Sequence, residues 1–227
     1  MPGFCRLCPA QKKDVVLLQC CICNYPCQPW WQDRKRHYWH CSHCGCVQVP
    51  AQFYLAAADE KAEYDKHENN PDDTGYLTFL GRAATPLIER LRVPSSGLDF
   101  GCGPGPALNR LLEDAGHTVS LYDKFYCADE TVWLRNYDFI TLTEVAEHLA
   151  DPLATLELLW QHLRPAGWLL IMTKRVQDLD AFKRWHYKND PTHITFFHWK
   201  TFEFLATKWG TVAEAVADDV VMLRKPA

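Results

Sequence analysis

Leu98-Asp99-Phe100-Gly101-Cys102-Gly103-Pro104-Gly105 is the stretch on which the reading of the fold turns. Gly97–Phe100 is a short apolar run, and a glycine-rich turn follows it directly. Pro106–Ala115 then has helical spacing, with Leu108, Leu111 and Leu112 on one face. Glycines between a strand and a helix let the backbone take positive φ and approach a ligand closely. Val119–Tyr122 reads as the next strand. Asp123 ends it 18 residues after Gly105, where a carboxylate accepts both hydroxyls of a ribose. The dinucleotide pattern G-x-G-x-x-G is not met, because position 106 is Pro and position 108 is Leu.

Outward from this turn, short apolar runs alternate with helical patterns. Asp138–Thr143 reads as a third strand with a helix from about Glu144. Leu153–Leu163 is amphipathic, and Arg164-Pro165-Ala166-Gly167 ends it. Trp168–Met172 reads as a strand, Thr201–Lys208 as a helix, and Val212–Ala217 with Val220–Leu223 as a closing hairpin. Strands alternating with helices predict an α/β fold with a largely parallel sheet. Only 14 residues separate Asp123 from Asp138, too few for a helix, a strand and two loops. The sheet is therefore expected to be shortened at its edge after the second strand.

Composition sets the frame. The chain has 227 residues, 48% hydrophobic and 23% charged, which excludes a disordered chain. No apolar run reaches the ~18 residues of a membrane span, and no signal-peptide layout is read at the N-terminus. The expected setting is cytoplasmic, with no membrane partner. The formal net charge of −4 divides into +4 over residues 1–50 and −8 over the rest. Nine of eleven cysteines lie in residues 1–46, a concentration that reads as metal binding in a reducing compartment. Four zones follow: a tail (1–19), a Cys/Trp/His-rich module (20–50), a polar helix-prone lid or linker (51–93) and the α/β domain (94–227).

Within the module, Cys20-x2-Cys23 and Cys41-x2-Cys44 have the spacing of a zinc ribbon. Two such pairs close a tetrahedral site of four thiolates, which is structural because no position stays open. About thirty residues cannot support themselves by core burial, so a metal is expected. Cys5 and Cys8 form a third pair, which reads as a competing ligand pair, half of a second site or, the favoured reading, an ornament on the tail. Arg34-Lys35-Arg36 lies beside Trp30, Trp31, Tyr38 and Trp39. Such interleaving binds RNA by phosphate contact and base stacking; alternatively the aromatics pack the module against the rest of the chain.

The glycine stretch resembles motif I of the class I S-adenosylmethionine-dependent methyltransferases. Tyr137-Asp138-Phe139-Ile140 through Glu144-Val145-Ala146-Glu147-His148 resembles that family's fourth-strand motif. Leu163-Arg164-Pro165-Ala166-Gly167-Trp168-Leu169 resembles its turn into the fifth strand. The resemblance covers roughly residues 94–175 and implies a Rossmann-like sheet with S-adenosylmethionine as cofactor. By the same resemblance Gly101, Gly103 and Gly105 face the methionine part, Asp99 helps anchor its amino group, and Asp123 takes the ribose. Cys102 and Thr143 are carried over as further cofactor contacts. Phe125 or Tyr126 either stacks on the adenine or has an ordinary core role.

Glu144, Glu147 and His148 fall at i, i+3 and i+4, which share one face of a helix. Asp190-Pro191-Thr192-His193 is read as a loop after the fifth strand. Two carboxylates and two imidazoles suit a divalent ion such as Mg²⁺, Mn²⁺ or Zn²⁺. Glu-x-x-Glu-His resembles the metal-binding stretch of ubiquinone-pathway O-methyltransferases. It also resembles that of enzymes methylating the 2′-hydroxyl at small-RNA 3′ ends. Three roles stay open for Glu144, Glu147, His148 and His193: a second metal, metal-free acid/base catalysis (His148, His193, Glu144), or structure. In the lid zone Tyr64, His67 or Tyr76 is expected to touch cofactor or acceptor. The leading expectation is methyl transfer to a hydroxyl of a small-molecule acceptor. The alternatives are an RNA methyltransferase that uses the zinc module for substrate binding, a combination found in a family of ribosomal-RNA guanine methyltransferases, and a non-catalytic S-adenosylmethionine-binding protein.

Overall fold

The structure is a computed structural model and describes residues 18–66, 70 and 72–227. Cys5, Cys8 and His67 lie outside the described residues, so the readings made for them are neither met nor overturned.

In chain order the elements are β1 (Gln28–Gln32), β2 (His37–His40), β3 (Val47–Gln48), α1 (Ala57–Tyr64), α2 (Thr74–Ile88), β4 (Ser96–Phe100), α3 (Ala107–Asp114), β5 (Thr118–Tyr122) and β6 (Tyr137–Thr143). There follow α4 (Pro152–His162), β7 (Leu163–Met172), α5 (Leu179–Arg184), β8 (Thr195–Phe196), α6 (Trp199–Lys208), β9 (Ala213–Ala215) and β10 (Val220–Arg224).

Six strands form the main sheet in the order β5-β4-β6-β7-β10-β9. The first four are parallel; β10 runs antiparallel to β7, and β9 to β10. Both faces of the central strands are covered, as a parallel sheet requires. Alternate residues serve opposite faces. Ile140, Leu142, Leu169 and Ile171 pack with Leu156 and Leu159 of α4 and Phe202 and Leu205 of α6. Phe139, Leu170 and Met172 pack with Leu80 and Leu87 of α2 and Leu108 and Leu112 of α3. The α/β class, the parallel sheet and the closing hairpin agree with the sequence reading. So does the shortened edge: among the described residues, an Asp123–Cys127 bridge and a 3-10 turn at Glu130–Leu134 take the place of a third strand.

One reading needs correction: no α-helix starts at Glu144. Glu144 has φ +54, a left-handed conformation that breaks a helix, and its amide still donates to the Met172 carbonyl at 2.8 Å. Only a 3-10 turn forms, at Ala146–His148. Helix α4 ends before Arg164–Gly167, as the sequence reads: it stops at His162, and residues 164–167 bulge out of the ladder between Leu163 and Trp168, with Ala166 at φ +63. The register with β6 shifts between Tyr137 and Phe139, so Pro165 sits where the ladder is already interrupted. In the zone read as a lid or linker, α2 buries Leu80, Ala83, Ala84 and Leu87 against the sheet, while its Tyr76 and Phe79 line the cavity onto which Gly101 and Gly103 open.

The cysteine-rich segment forms a second, antiparallel sheet in the order β1-β2-β3-β8. Its fourth strand comes from residues 195–196, far along the chain, so the module and the α/β domain share a sheet. Thr201 Oγ1 of α6 also donates to the Cys44 carbonyl at 2.9 Å. No helix among the described residues is long and apolar enough to cross a membrane.

Candidate active site

Strand β4 ends in the glycine turn. Gly101 and Gly103 have φ +76 and +66. At Gly101 a Cβ would stand 2.4 Å from Val145 Cγ2, so any side chain collides as well as strains the backbone. The turn is tied to the end of β5. The Gly101 and Cys102 amides donate to the Tyr122 carbonyl at 2.7 and 3.2 Å. Asp123 Oδ2 accepts from the Gly103 amide at 3.1 Å, while Oδ1 accepts from the Phe125 and Tyr126 amides at 2.8 and 3.2 Å. The carboxylate thus holds the glycine turn and the following loop in one arrangement.

These residues open onto a cavity of about 410 Å³. Gly101, Cys102, Gly103, Asp123, Phe125, Thr143, Glu144, His148, Asp190 and His193 are among its lining residues, and Tyr64 makes ring contacts with both Phe125 and His148 across it. Two residues carried over by resemblance lie behind the wall. Gly105 does not line the cavity, and Asp99 is buried beneath the turn, where Thr141 Oγ1 donates to its Oδ1 at 2.7 Å. Burial pushes Asp99 up to about 6.

Behind the lining residues His148 and His193 lies the buried Glu147; each of the three offers a ligand atom, and these lie within 4.8 Å of one another. The rings of His148 and His193 have centroids 4.6 Å apart. His193 Nδ1 is 2.7 Å from the Tyr187 carbonyl and His148 Nδ1 is 3.2 Å from the Thr192 carbonyl. A carbonyl only accepts, so both Nδ1 atoms carry a proton, and the two Nε2 atoms stand 3.9 Å from Glu147 Oε1 (His148) and 3.8 Å from Asp190 Oδ2 (His193). Burial pushes His193 down to about 4, which keeps the ring neutral near pH 7. Glu147 is fully buried; its Oε1 accepts from the Tyr187 hydroxyl, while Oε2 has no hydrogen-bond partner among the described residues.

Glu144 does not join this group. Without the helix the i, i+3 relation is lost, and Glu144 lies on the cavity wall apart from the three converging atoms. Burial, and then the Glu147 carboxylate, push it up to about 8. Its reading as a fourth ligand is therefore corrected. Tyr187 and Lys174 were not singled out from the sequence. Tyr187 precedes Asp190 by three positions, but no regular spacing marks it as the donor to Glu147.

Cys20, Cys23, Cys41 and Cys44 bring their sulfurs within 4.8 Å of one another, with Cys20–Cys44 at 3.5 Å and Cys23–Cys41 at 3.4 Å. Four sulfurs ~2.3 Å from a tetrahedral centre stand ~3.8 Å apart, so the set fits a four-thiolate metal. The two pairs fold alike. The Asn24 amide donates to the Cys20 carbonyl at 2.9 Å and the Gly45 amide to the Cys41 carbonyl at 2.8 Å. Asn24 and Gly45 both have positive φ, at 57 and 74. The neighbouring aromatics face inward: Trp30, Trp31 and Tyr38 all pack on Phe182.

A family model described as "Methyltransferase domain" matches residues 76–213. A Burkholderia thailandensis 1,6-didemethyltoxoflavin-N1-methyltransferase, solved with 1,6-didemethyltoxoflavin and S-adenosylhomocysteine bound, is similar at 17% identity and TM-score 0.52. That likeness covers 88% of this chain and 100% of the other. The mitomycin 7-O-methyltransferase MmcR gives 14% identity and TM-score 0.49 over 68% of this chain and 55% of that one. An O-methyltransferase family protein from Burkholderia thailandensis gives 12% and 0.49 over 78% and 62%. None of the curated proteins matches the sequence.

Proposed function

The chain belongs to the methyltransferase domain family and is an S-adenosylmethionine-dependent methyltransferase, and we propose that its acceptor is a hydroxyl of a small molecule. The donor would lie along Gly101–Gly103 with its ribose at Asp123 and its adenine beside Phe125. The acceptor would lie against His148 and His193.

One observation carries the hydroxyl reading: two imidazoles with Nδ1 fixed by backbone carbonyls converge with one buried carboxylate, each offering a ligand atom within 4.8 Å of the others. Methyl transfer is an in-line displacement at the sulfonium carbon, so positioning is most of the protein's work. A hydroxyl acceptor must also lose its proton. Glu147, His148 and His193 would hold a divalent cation, which lowers the acceptor pKa when bound. The unpartnered Glu147 Oε2 favours this over a purely protein-based route. In the absence of a cation, His148 would be the candidate base.

The inward packing of Trp30, Trp31 and Tyr38 supports a small acceptor over RNA, since packed rings do not stack on bases. For the module we propose one structural zinc on Cys20, Cys23, Cys41 and Cys44. The test is transfer of labelled methyl from S-adenosylmethionine to a panel of catechols and monophenols. Activity should fall with a chelator too weak to strip four thiolates and return with Mg²⁺ or Mn²⁺. Chelator-insensitive transfer would assign the proton to His148 alone. Transfer to transcripts but to no small hydroxyl would overturn the acceptor class.

A further inference from the structure

Arg36 is a buried cation at the end of the β1–β2 connection, only 6% exposed. Asp33 shapes that connection: its Oδ1 accepts from the Lys35 and Arg36 amides, both at 2.7 Å. The guanidinium of Arg36 leaves its own module and enters the Lys188–His193 loop, whose Asp190 and His193 line the cavity. Nη1 donates to the carbonyls of Pro191 at 3.1 Å and His193 at 2.9 Å. Nη2 donates to the carbonyl of Asp190 at 2.9 Å and to that of Lys188. All four acceptors are backbone carbonyls within six consecutive residues. A planar fork reaches four carbonyls at once only when the loop is curled around it.

The same loop is gripped from its other end. The Val49 amide donates to the Ile194 carbonyl, and the Ile194 amide donates to the Glu147 carbonyl, both at 2.9 Å. The cysteine module therefore holds residues on both sides of His193.

We propose that Arg36 is a positioning residue that curls the Lys188–His193 loop so that His193 faces Glu147 and His148, and that the thiolate module thereby sets the acceptor side of the site. This rests on the reading of that cluster as the group that activates the acceptor. The local claim about the loop stands or falls separately.

The experiment compares the full chain with Arg36→Ala and Arg36→Lys. It reads amide hydrogen exchange, the imidazole N–H signal of His193, and calorimetric titration with S-adenosylhomocysteine. In Arg36→Ala, exchange at Thr192, His193 and Ile194 should rise about tenfold or more, because charge-assisted bonds are lost at four carbonyls. The His193 Nδ1–H signal should broaden or vanish. S-adenosylhomocysteine affinity should stay within about twofold, since its loop is held by Tyr122 and Asp123. Free guanidinium at millimolar concentration should restore protection. Arg36→Lys should fall between, because an ammonium has no fork. A merely structural role would spread faster exchange over the whole module and sheet, with no rescue by guanidinium, and would overturn the proposal. So would unchanged protection in either variant; if Arg36→Ala does not fold, Arg36→Lys decides. Wild-type protein that protects the loop yet binds no S-adenosylhomocysteine would sink the functional reading while leaving the clamp intact.

Discussion

Gly101→Ala should damage the protein through two separable effects. The residue has φ +76, which costs an L-residue about 1–2 kcal/mol. The new Cβ would also stand 2.4 and 2.9 Å from the two Cγ atoms of Val145, an overpacking of about 1–3 kcal/mol. Together they destabilise by about 2–5 kcal/mol, which a domain of ordinary stability survives. Val145→Ala removes both colliding methyls and alone costs about 1 kcal/mol. The double variant should therefore be more stable than the sum of the singles by the overpacking part, while the backbone part remains. Urea denaturation of the four proteins at one pH gives this coupling energy. Strict additivity, within about 0.5 kcal/mol, would refute the contact and leave only backbone strain. Because Val145 leads into the turn carrying His148, Gly101→Ala should disturb both walls of the cavity.

Further outcomes follow from other parts of the chain. The protein should purify with about one zinc per chain, and Cys41→Ser should lose it, as elemental analysis would show; zinc retained by that variant would exclude Cys41 as a ligand. Asp99 titrates near its ordinary value when unfolded but at about 6 when buried, so from about pH 4 to 6 the folded state holds the extra proton and stability falls as pH rises. Asp99→Asn should then be more stable than the parent by on the order of 3 kcal/mol at pH 7.5, with the difference gone below about pH 4. A difference independent of pH in urea titrations would contradict it. Tyr187→Phe leaves the buried Glu147 Oε1 without its donor and should cost about 1–3 kcal/mol, read from the same denaturation curves.

Local patterns carried most of the architecture. The glycine turn, Asp123 and the 14-residue gap before Asp138 foretold β4, β5 and the shortened edge, because each is a constraint over a few consecutive residues. The Cys-x2-Cys pairs foretold the four-sulfur cluster for the same reason. Helical spacing misled at Glu144, where the tie to Met172 and a left-handed backbone outweigh helix propensity. Pro165 and Gly167 marked a real interruption, which takes the form of a bulge between Leu163 and Trp168. The meeting of His148 with His193 was guessed from residue types, but its geometry depends on tertiary partners. Those partners, Tyr187 and Arg36, belong to no spacing rule: Arg36 acts on carbonyls, which every residue has. The Trp and Tyr residues of the module were ambiguous until Phe182 was seen to fill the space between them.

The most direct test of the central claim is calorimetric titration of the intact protein with S-adenosylhomocysteine, alongside Asp123→Ala. The account predicts one site per chain, weakened in the variant by about 1–3 kcal/mol, or roughly 5–150-fold, through loss of a charged hydrogen-bonding group. A folded protein that takes up no S-adenosylhomocysteine, or an Asp123→Ala variant that binds it as tightly as the parent, would contradict it.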